Sequence, residues 1–306
     1  MMIKLTDELV SDIAAISSTQ PADCHLYALL DSSIYASAQP PQWNGRVSSL
    51  AQRFYPAEHW DVFSYAFDEQ GNEASPLLFP LRRLDSDLSR EIAAHAMLYP
   101  LCSWLWSPLQ AEDLAKHLAS FIRAEIDGTA AILRPYDPRL IEDVIACFDE
   151  DRRQRMLSGI AHWVYLDGGE VLKTVGGTEP IFRGVDGEGP MQLTAEEQDR
   201  FEHLANRIAL ESYIDEHAEG VFEGLTPSER KAFCEQQLSF GKKLGMESMG
   251  DLLIIGVMTQ RHGNAWMNAP QIVHILNAVK AKKMDLRLAM RDIDAQLSDL
   301  SKKSEI

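Results

Sequence analysis

Seven of the chain's 18 glycines fall between Gly168 and Gly189, and the rhythm of apolar residues changes across them. Before this stretch, short apolar runs alternate with helical segments. After it, helical spacing continues to the end. A chain of 306 residues is about twice an ordinary domain of ~150 residues, so the change of rhythm reads as a change of architecture. The expectation is an α/β (α+β) lobe with a partly parallel sheet over 1–190, then an all-helical lobe over 191–306, with 176–192 as the linker. Charge divides along similar lines: residues 1–193 carry 28 acidic and 15 basic side chains, residues 194–306 carry 18 and 14.

Within the first part, Thr6-Asp7 offers a helix start ahead of Leu9, Ile13 and Ile16 at helical spacing. The run HLYALL at 25–30 suits a buried strand. Pro40-Pro41 and Asn44-Gly45 mark a loop. Residues 62–67 and 76–81 are two further strand candidates, separated by the turn-like DEQGNE, and 86–97 is helical. Trp104 and Trp106 alternate with Ser103 and Leu105 on a strand. Ser107-Pro108-Leu109-Gln110 then has the form of a capping box, opening a helix that buries Leu114, Leu118, Phe121 and Ile122 and stops at Asp127-Gly128. The nearly continuous apolar run TAAILRPY follows, so the whole reads as a strand–helix–strand unit with parallel strands. Asp137-Pro138 opens the next helix, and 162–166 with 170–175 form a closing hairpin.

In the second part, Thr194 with Glu197 and Thr226 with Glu229 are capping-box starts. They predict helices near 195–219 and 227–243, with others near 248–260 and 270–299. Along the last, Ile272, Leu276, Val279, Leu286, Met290, Ile293 and Leu297 follow steps of four and three, broken only by Lys283. Such a seam packs inside a bundle or faces a partner helix.

Charge and composition remove several function classes. With 46 Asp+Glu against 29 Lys+Arg the net charge is −17, which repels phosphate backbones and anionic lipid; neither nucleic acid nor membrane is an expected partner. No apolar run approaches the roughly 20 residues of a membrane span. The segment MMIKLTDELVSDIAAI lacks a basic leader with a continuous apolar stretch, so no signal peptide and a cytoplasmic location are expected. Four scattered cysteines read as reduced thiols. His203/His217 and His262/His274 lie too far apart for a one-turn chelating pair, and no phosphate-cradling glycine loop or nucleophile elbow exists. No metal and no cofactor are expected.

One constellation carries polar chemistry, Leu133-Arg134-Pro135-Tyr136-Asp137-Pro138-Arg139, placed where a strand meets a helix. As an enzyme, Asp137 would be the acid or base and Arg134 and Arg139 would clamp an anion. As structure, Asp137 caps its helix, Pro138 takes the first helical position, and an arginine pairs with a carboxylate. The absence of a second acid, nucleophile or metal cluster in the pattern favours structure, and no catalytic residue is assigned.

At LRPYDPRL the chain resembles the type VI secretion effector-adaptor family (the Tap, or TEC, chaperones). The matching pieces are LYALLDSSI at 26–34, SPLQAEDLAKHLASFI at 107–122, AILRPYDPRL at 131–140 and MLSGIAHWVYLDG at 156–168. Pro135 stands where many relatives have an aromatic. The resemblance implies a cytoplasmic, non-enzymatic adaptor that binds a toxic effector and loads it onto the VgrG spike. It also implies that Asp31, Arg134, Tyr136, Asp137, Pro138, Arg139 and Trp163 are structural signature residues. Alternatives from other classes are a small-molecule enzyme built on Asp137 with Arg134 or Arg139, and an immunity-type protein that neutralises a toxin. For an adaptor, the apolar seam and basic residues of the last helix make Lys283, Leu286, Arg287, Met290 and Ile293 the candidate effector-binding residues.

Overall fold

A computed structural model describes residues 2–32, 59–67, 75–84, 86–167, 171–176, 189–246, 248–290 and 293–294. The loop at Pro40-Pro41 and Asn44-Gly45, the DEQGNE turn, Leu297 and most of the linker lie outside these residues. The chain divides into two compact units, residues 1–201 and 202–306.

The first unit is built on a six-stranded sheet in the order β2-β3-β1-β4-β7-β8. Its strands are β1 (His25–Asp31), β2 (Trp60–Asp61), β3 (Pro76–Pro80), β4 (Cys102–Ser107), β7 (His162–Asp167) and β8 (Val171–Gly176), every neighbour antiparallel. Alternation sends Ala28, Leu30, Trp104, Trp106 and Val164 to one face. There they pack with Leu9 and Ile13 of α1 (Met2–Ser18) and with Ile92, Ala93 and Ala96 of α3 (Asp87–Ala96). The two tryptophans are therefore core, and Trp106 Nε1 donates to Ser17 Oγ at 3.2 Å. Tyr27, Leu29, Ser103, Leu105 and Trp163 are buried on the opposite face.

The strand–helix–strand unit expected around residues 99–136 is corrected. Helix α4 (Ala111–Ala119) is followed by β5 (Arg123–Ile126) and β6 (Thr129–Ile132), which leave the main sheet for a second one, β6-β5-β9, with β9 at Met191–Gln192. Asp127 and Gly128 both have positive φ, 50° and 73°, so Asp-Gly is the two-residue turn of a β5–β6 hairpin and not a helix stop. The parallel pairing lies instead between β5 and β9. Strand β6 is largely exposed, unlike the doubly covered strand expected from TAAILRPY. Nor is Ser107 a helix cap: its hydroxyl donates to Gly159 O and accepts from Leu109 N.

Residues 62–67, read as a strand, form the short helix α2 (Val62–Phe67). The reason is local: the Asp61 carboxylate accepts from Ser64 N at 3.1 Å, as an N-cap does, and Val62, Phe63 and Ala66 are buried. The expected helix at 86–97 does form as α3, with Ser86 Oγ accepting from Ser89 N.

Helices α5 (Ile141–Cys147) and α6 (Glu150–Leu157) complete the unit, together with the first turns of α7 (Ala195–His217). Thr194 and Glu197 make the expected reciprocal bonds, 2.9 and 3.3 Å. Buried Glu197 also accepts from Asp149 N and ion-pairs with Arg152. Through these bonds the residues just beyond 190 belong with the α/β unit.

His117 of α4 is buried, with Nε2 donating to Met156 O at 2.9 Å. Burial is the larger influence and lowers its pKa below 6.5. The unfolded chain therefore takes up this proton first. The stability it contributes is complete above pH 6.5 and is lost as pH falls through the folded value. The melting temperature should fall on acidification from pH 7 to 5.5, and His117→Gln, which keeps an N–H for Met156, should flatten that slope. Identical slopes would remove His117 from the account.

The second unit holds the rest of α7, then α8 (Pro227–Leu244), α9 (Met249–His262), a 3-10 turn (Asn264–Asn268) and α10 (Pro270–Lys280). Thr226 and Glu229 form the expected capping box. Gly241 allows α8 and α9 to close up, since a Cβ there would lie 2.4 Å from both Leu252 Cδ2 and Met246 O. Buried Gln237, Thr259 and Trp266 are linked side chain to side chain, at 3.3 and 3.1 Å, which fixes one register for α8, α9 and the 3-10 turn.

The continuous helix expected over 270–299 is corrected: α10 ends at Lys280, Lys282 turns left-handed with φ 54°, and helix resumes at 286–290. The break falls where the seam would have placed the Lys283 ammonium in the core. Stopping and restarting leaves Lys283 exposed while Leu286 stays in the interior. Ile272, Leu276, Val279, Leu286 and Ile293 are all buried in one cluster, with Met290 partly so.

Candidate functional site

Strand β1 ends in Asp31, whose carboxylate stays inside the protein at 1% residue exposure. Its backbone N donates to Leu101 O at 2.7 Å. A buried carboxylate needs a paired cation and hydrogen bonds, and the cation comes from 103 residues away. Arg134, in the segment after β6, donates from Nη2 to Asp31 Oδ2 at 2.6 Å. The same nitrogen lies 3.4 Å from Asp137 Oδ2.

Asp137 is wholly buried and is held on both oxygens. Arg139 Nε donates to Oδ1 at 3.0 Å and Nη2 to Oδ2 at 2.7 Å, while Arg139 N donates to Oδ1 at 3.1 Å. Leu140 N donates to Asp137 O at 2.8 Å. Asp137 thus closes a turn on itself, as aspartate side chains do by bonding the backbone two residues on. The expectation that it caps the helix is corrected: α5 starts at Ile141, and no side chain caps it. Pro138 is accordingly a buried turn residue, not the first residue of a helix.

The four charged groups alternate, Asp31–Arg134–Asp137–Arg139, and sum to zero. Burial lowers the Arg134 pKa, but the facing Asp31 and Asp137 carboxylates outweigh it and hold the pKa above its ordinary value. The hydrogen bond from Arg139 to Asp137 raises the Arg139 pKa likewise. Both guanidiniums remain cationic, with side chains 34% and 48% exposed. Tyr136 is buried beside them, edge-on to Phe63 at 6.0 Å, with Arg134 Cζ 5.9 Å from its ring centre. Burial raises the Tyr136 pKa, which keeps the phenol neutral.

Chemically this is a latch. Neither carboxylate presents a free oxygen pair for proton transfer, because Asp137 is chelated and Asp31 is paired to Arg134. It ties the end of a main-sheet strand to the turn after the second sheet.

The structure therefore unites Asp31, Arg134, Tyr136, Asp137 and Arg139. Trp163 stands elsewhere on the sheet, buried, with Nε1 donating to Ser103 Oγ at 2.9 Å. Leu286 and Ile293 are core residues of the second unit, while Lys283 and Arg287 are exposed. Sequence reasoning missed a second polar cluster next to Asp31. Ser32 Oγ donates to Ser75 O at 2.5 Å, Ser75 Oγ donates to Asp61, and Phe63 N donates to Ser75 Oγ at 3.1 Å. Asp61 with Ser64 three residues on is the signal that could have found it.

Among the described residues no cluster of histidine, cysteine and carboxylate side chains could hold a metal, and no helix is long and apolar enough to cross a membrane. A cleft of about 750 Å³ opens between the end of α1, the start of β1 and the start of α4, bordered by His25, Trp60, Arg82 and Gln110. It does not include the latch.

No curated protein and no solved structure matches the chain. The stretch that carries the whole latch, residues 26–155, matches the model of the family described as Domain of unknown function (DUF4123).

Proposed function

We propose that this protein is a non-enzymatic cytoplasmic adaptor that binds a type VI secretion effector and loads it onto the VgrG spike. One observation carries the reading: the residues matched to the family, 26–155, enclose a motif whose two buried carboxylates are both engaged by guanidiniums. The polar residues that distinguish the family resemblance therefore serve the scaffold, and function falls to surfaces. Use of Asp137 as an acid or base would require breaking a bidentate arginine pair in a buried setting, which typically costs several kcal/mol. That argues against the enzyme reading.

The experiment is co-expression of the chain with a candidate type VI effector and VgrG spike protein from its own genome. The adaptor should co-purify with the effector, and deleting its gene should stop secretion of that effector while leaving the apparatus able to secrete others. Unchanged effector secretion in the deletion strain would overturn the proposal.

A further inference from the structure

Six basic side chains from three helical segments converge at one end of the second unit. Lys242 and Lys243 close α8, and Lys280 closes α10, where its Nζ donates to Lys243 O at 2.9 Å and so fastens the two helix ends together. Lys282 and Lys283 lie in the break after α10 and are exposed. Arg287 reaches the start of α9, its guanidinium 2.7 Å from where a Cβ on Gly250 would be.

Helix dipoles account for Lys242, Lys243 and Lys280, which stand at C-termini where cations are favoured. Lys282 and Lys283, just past the Ala281 cap of α10, with their amides on Val279 O and Ala278 O, lie beside the same favourable end. Arg287 is different: it sits in the first turn of the helix at 286–290, the end at which a cation is disfavoured. Asp251 and Asp285 are the acids described there. Asp251 accepts from the Ser248 hydroxyl, and Asp285 caps Arg287 N. Cations are thus gathered against their mutual repulsion on a chain of net charge −17.

Two apolar side chains stand among them in water. Leu288 is 77% exposed, and Met284, four residues earlier, is also exposed. An exposed leucine alone means little. Met284 in the break and Leu288 on the helix at 286–290, each next in the chain to a basic residue, Lys283 and Arg287, set exposed apolar side chains beside cations, the complement of an amphipathic helix with an acidic rim.

We infer that this end of the second unit docks an acidic amphipathic helix of a protein partner. Met284 and Leu288 receive its apolar side chains, and Lys282, Lys283 and Arg287 pair with its carboxylates. A protein helix is favoured over an anionic membrane because the net charge of the whole molecule repels a lipid surface, while a single helix is small enough to lie within the local positive field. The proposal rests on the adaptor reading for the source of that helix, the effector, and on the surface alone for its chemistry.

The test uses the full chain and a fluorescein-labelled helical peptide of repeating Glu-Leu-Leu-Glu-Ala-Leu-Glu, with the same peptide carrying Lys for Glu as control. The acidic peptide should bind, more weakly as salt rises, and the basic one should not. Leu288→Asp, and separately Lys283→Glu with Arg287→Glu, should each weaken binding by about tenfold or more. These side chains are exposed, so both variants should melt like wild type. Equal binding of the two peptides, no effect of the variants, or capture by phosphatidylglycerol-containing vesicles without capture of the acidic peptide would overturn it. Peptide binding that persists where no type VI effector of the same genome is captured would uphold the surface and remove the adaptor reading. Effector capture unaffected by either variant would uphold the adaptor reading and remove the surface.

Discussion

Leu286→Asp combined with Ile293→Asp should unfold the second unit. Both side chains are buried in the cluster formed by Met246, Ile255, Met258, Trp266, Ile272 and Leu276. Each substitution forfeits about 1.5–3 kcal/mol of apolar burial and adds a carboxylate without a partner, worth roughly several kcal/mol more in an apolar setting. Together these are as large as the ~5–15 kcal/mol by which a domain is stable. The expected result is loss of a cooperative transition in circular dichroism and rapid proteolysis within 202–306, while Leu288→Asp on the outer face leaves both unchanged. A double variant that melts like wild type would mean that the seam is not core. Any loss of effector binding in the double variant would report unfolding. For that reason the docking surface is argued from Met284 and Leu288, and from Lys283 and Arg287, and not from the buried seam.

Asp137→Ala should cost about 2–4 kcal/mol. Removing one member of a buried ion pair leaves the other charges uncompensated, a loss of ~3–5 kcal/mol when the pair is wholly interior. Here Arg134 and Arg139 keep partial access to water, which reduces the figure. The turn also loses the acceptor for Arg139 N. Asp137→Asn, which preserves one acceptor oxygen but not the charge, should fall between wild type and alanine. Urea denaturation measures the series. If Asp137→Ala unfolds at the wild-type midpoint yet abolishes a measurable turnover, the latch is a catalytic site and the adaptor proposal fails with it.

Where local chemistry decides structure, the residues announced it. Ser86, Thr194 and Thr226 begin helices because each side chain accepts an otherwise unpaired amide, an interaction complete within four residues. Alternation in CSWLWS assigned Trp104 and Trp106 to one face for the equally local reason that a strand's side chains alternate. Two local signals were present but outweighed by a stronger apolar pattern. Asp127-Gly128 is a hairpin turn, hidden by the helical spacing that runs to Ile122. Asp61 with Ser64 starts a helix inside VFSYAF, whose aromatic and β-branched content favours a strand.

The sequence by itself determined an α/β part followed by a helical part, the Thr194 and Thr226 caps that start the first two helices of the helical part, and the residue types of the latch. Each of these is settled by neighbours within a few positions. Only the tertiary structure decided that Asp31 is the partner of Arg134, across 103 residues, and that β5 and β6 leave the main sheet. The same holds for the last helix. A seam at steps of four and three is compatible with core or partner, because periodicity specifies a face and not what covers it. The fold buried Leu286 and Ile293 and left Met284 and Leu288 outside, among lysines that three separate helical segments bring to one end. Burial and charge clustering arise from contacts between distant parts of the chain, and those contacts exist only in the folded molecule.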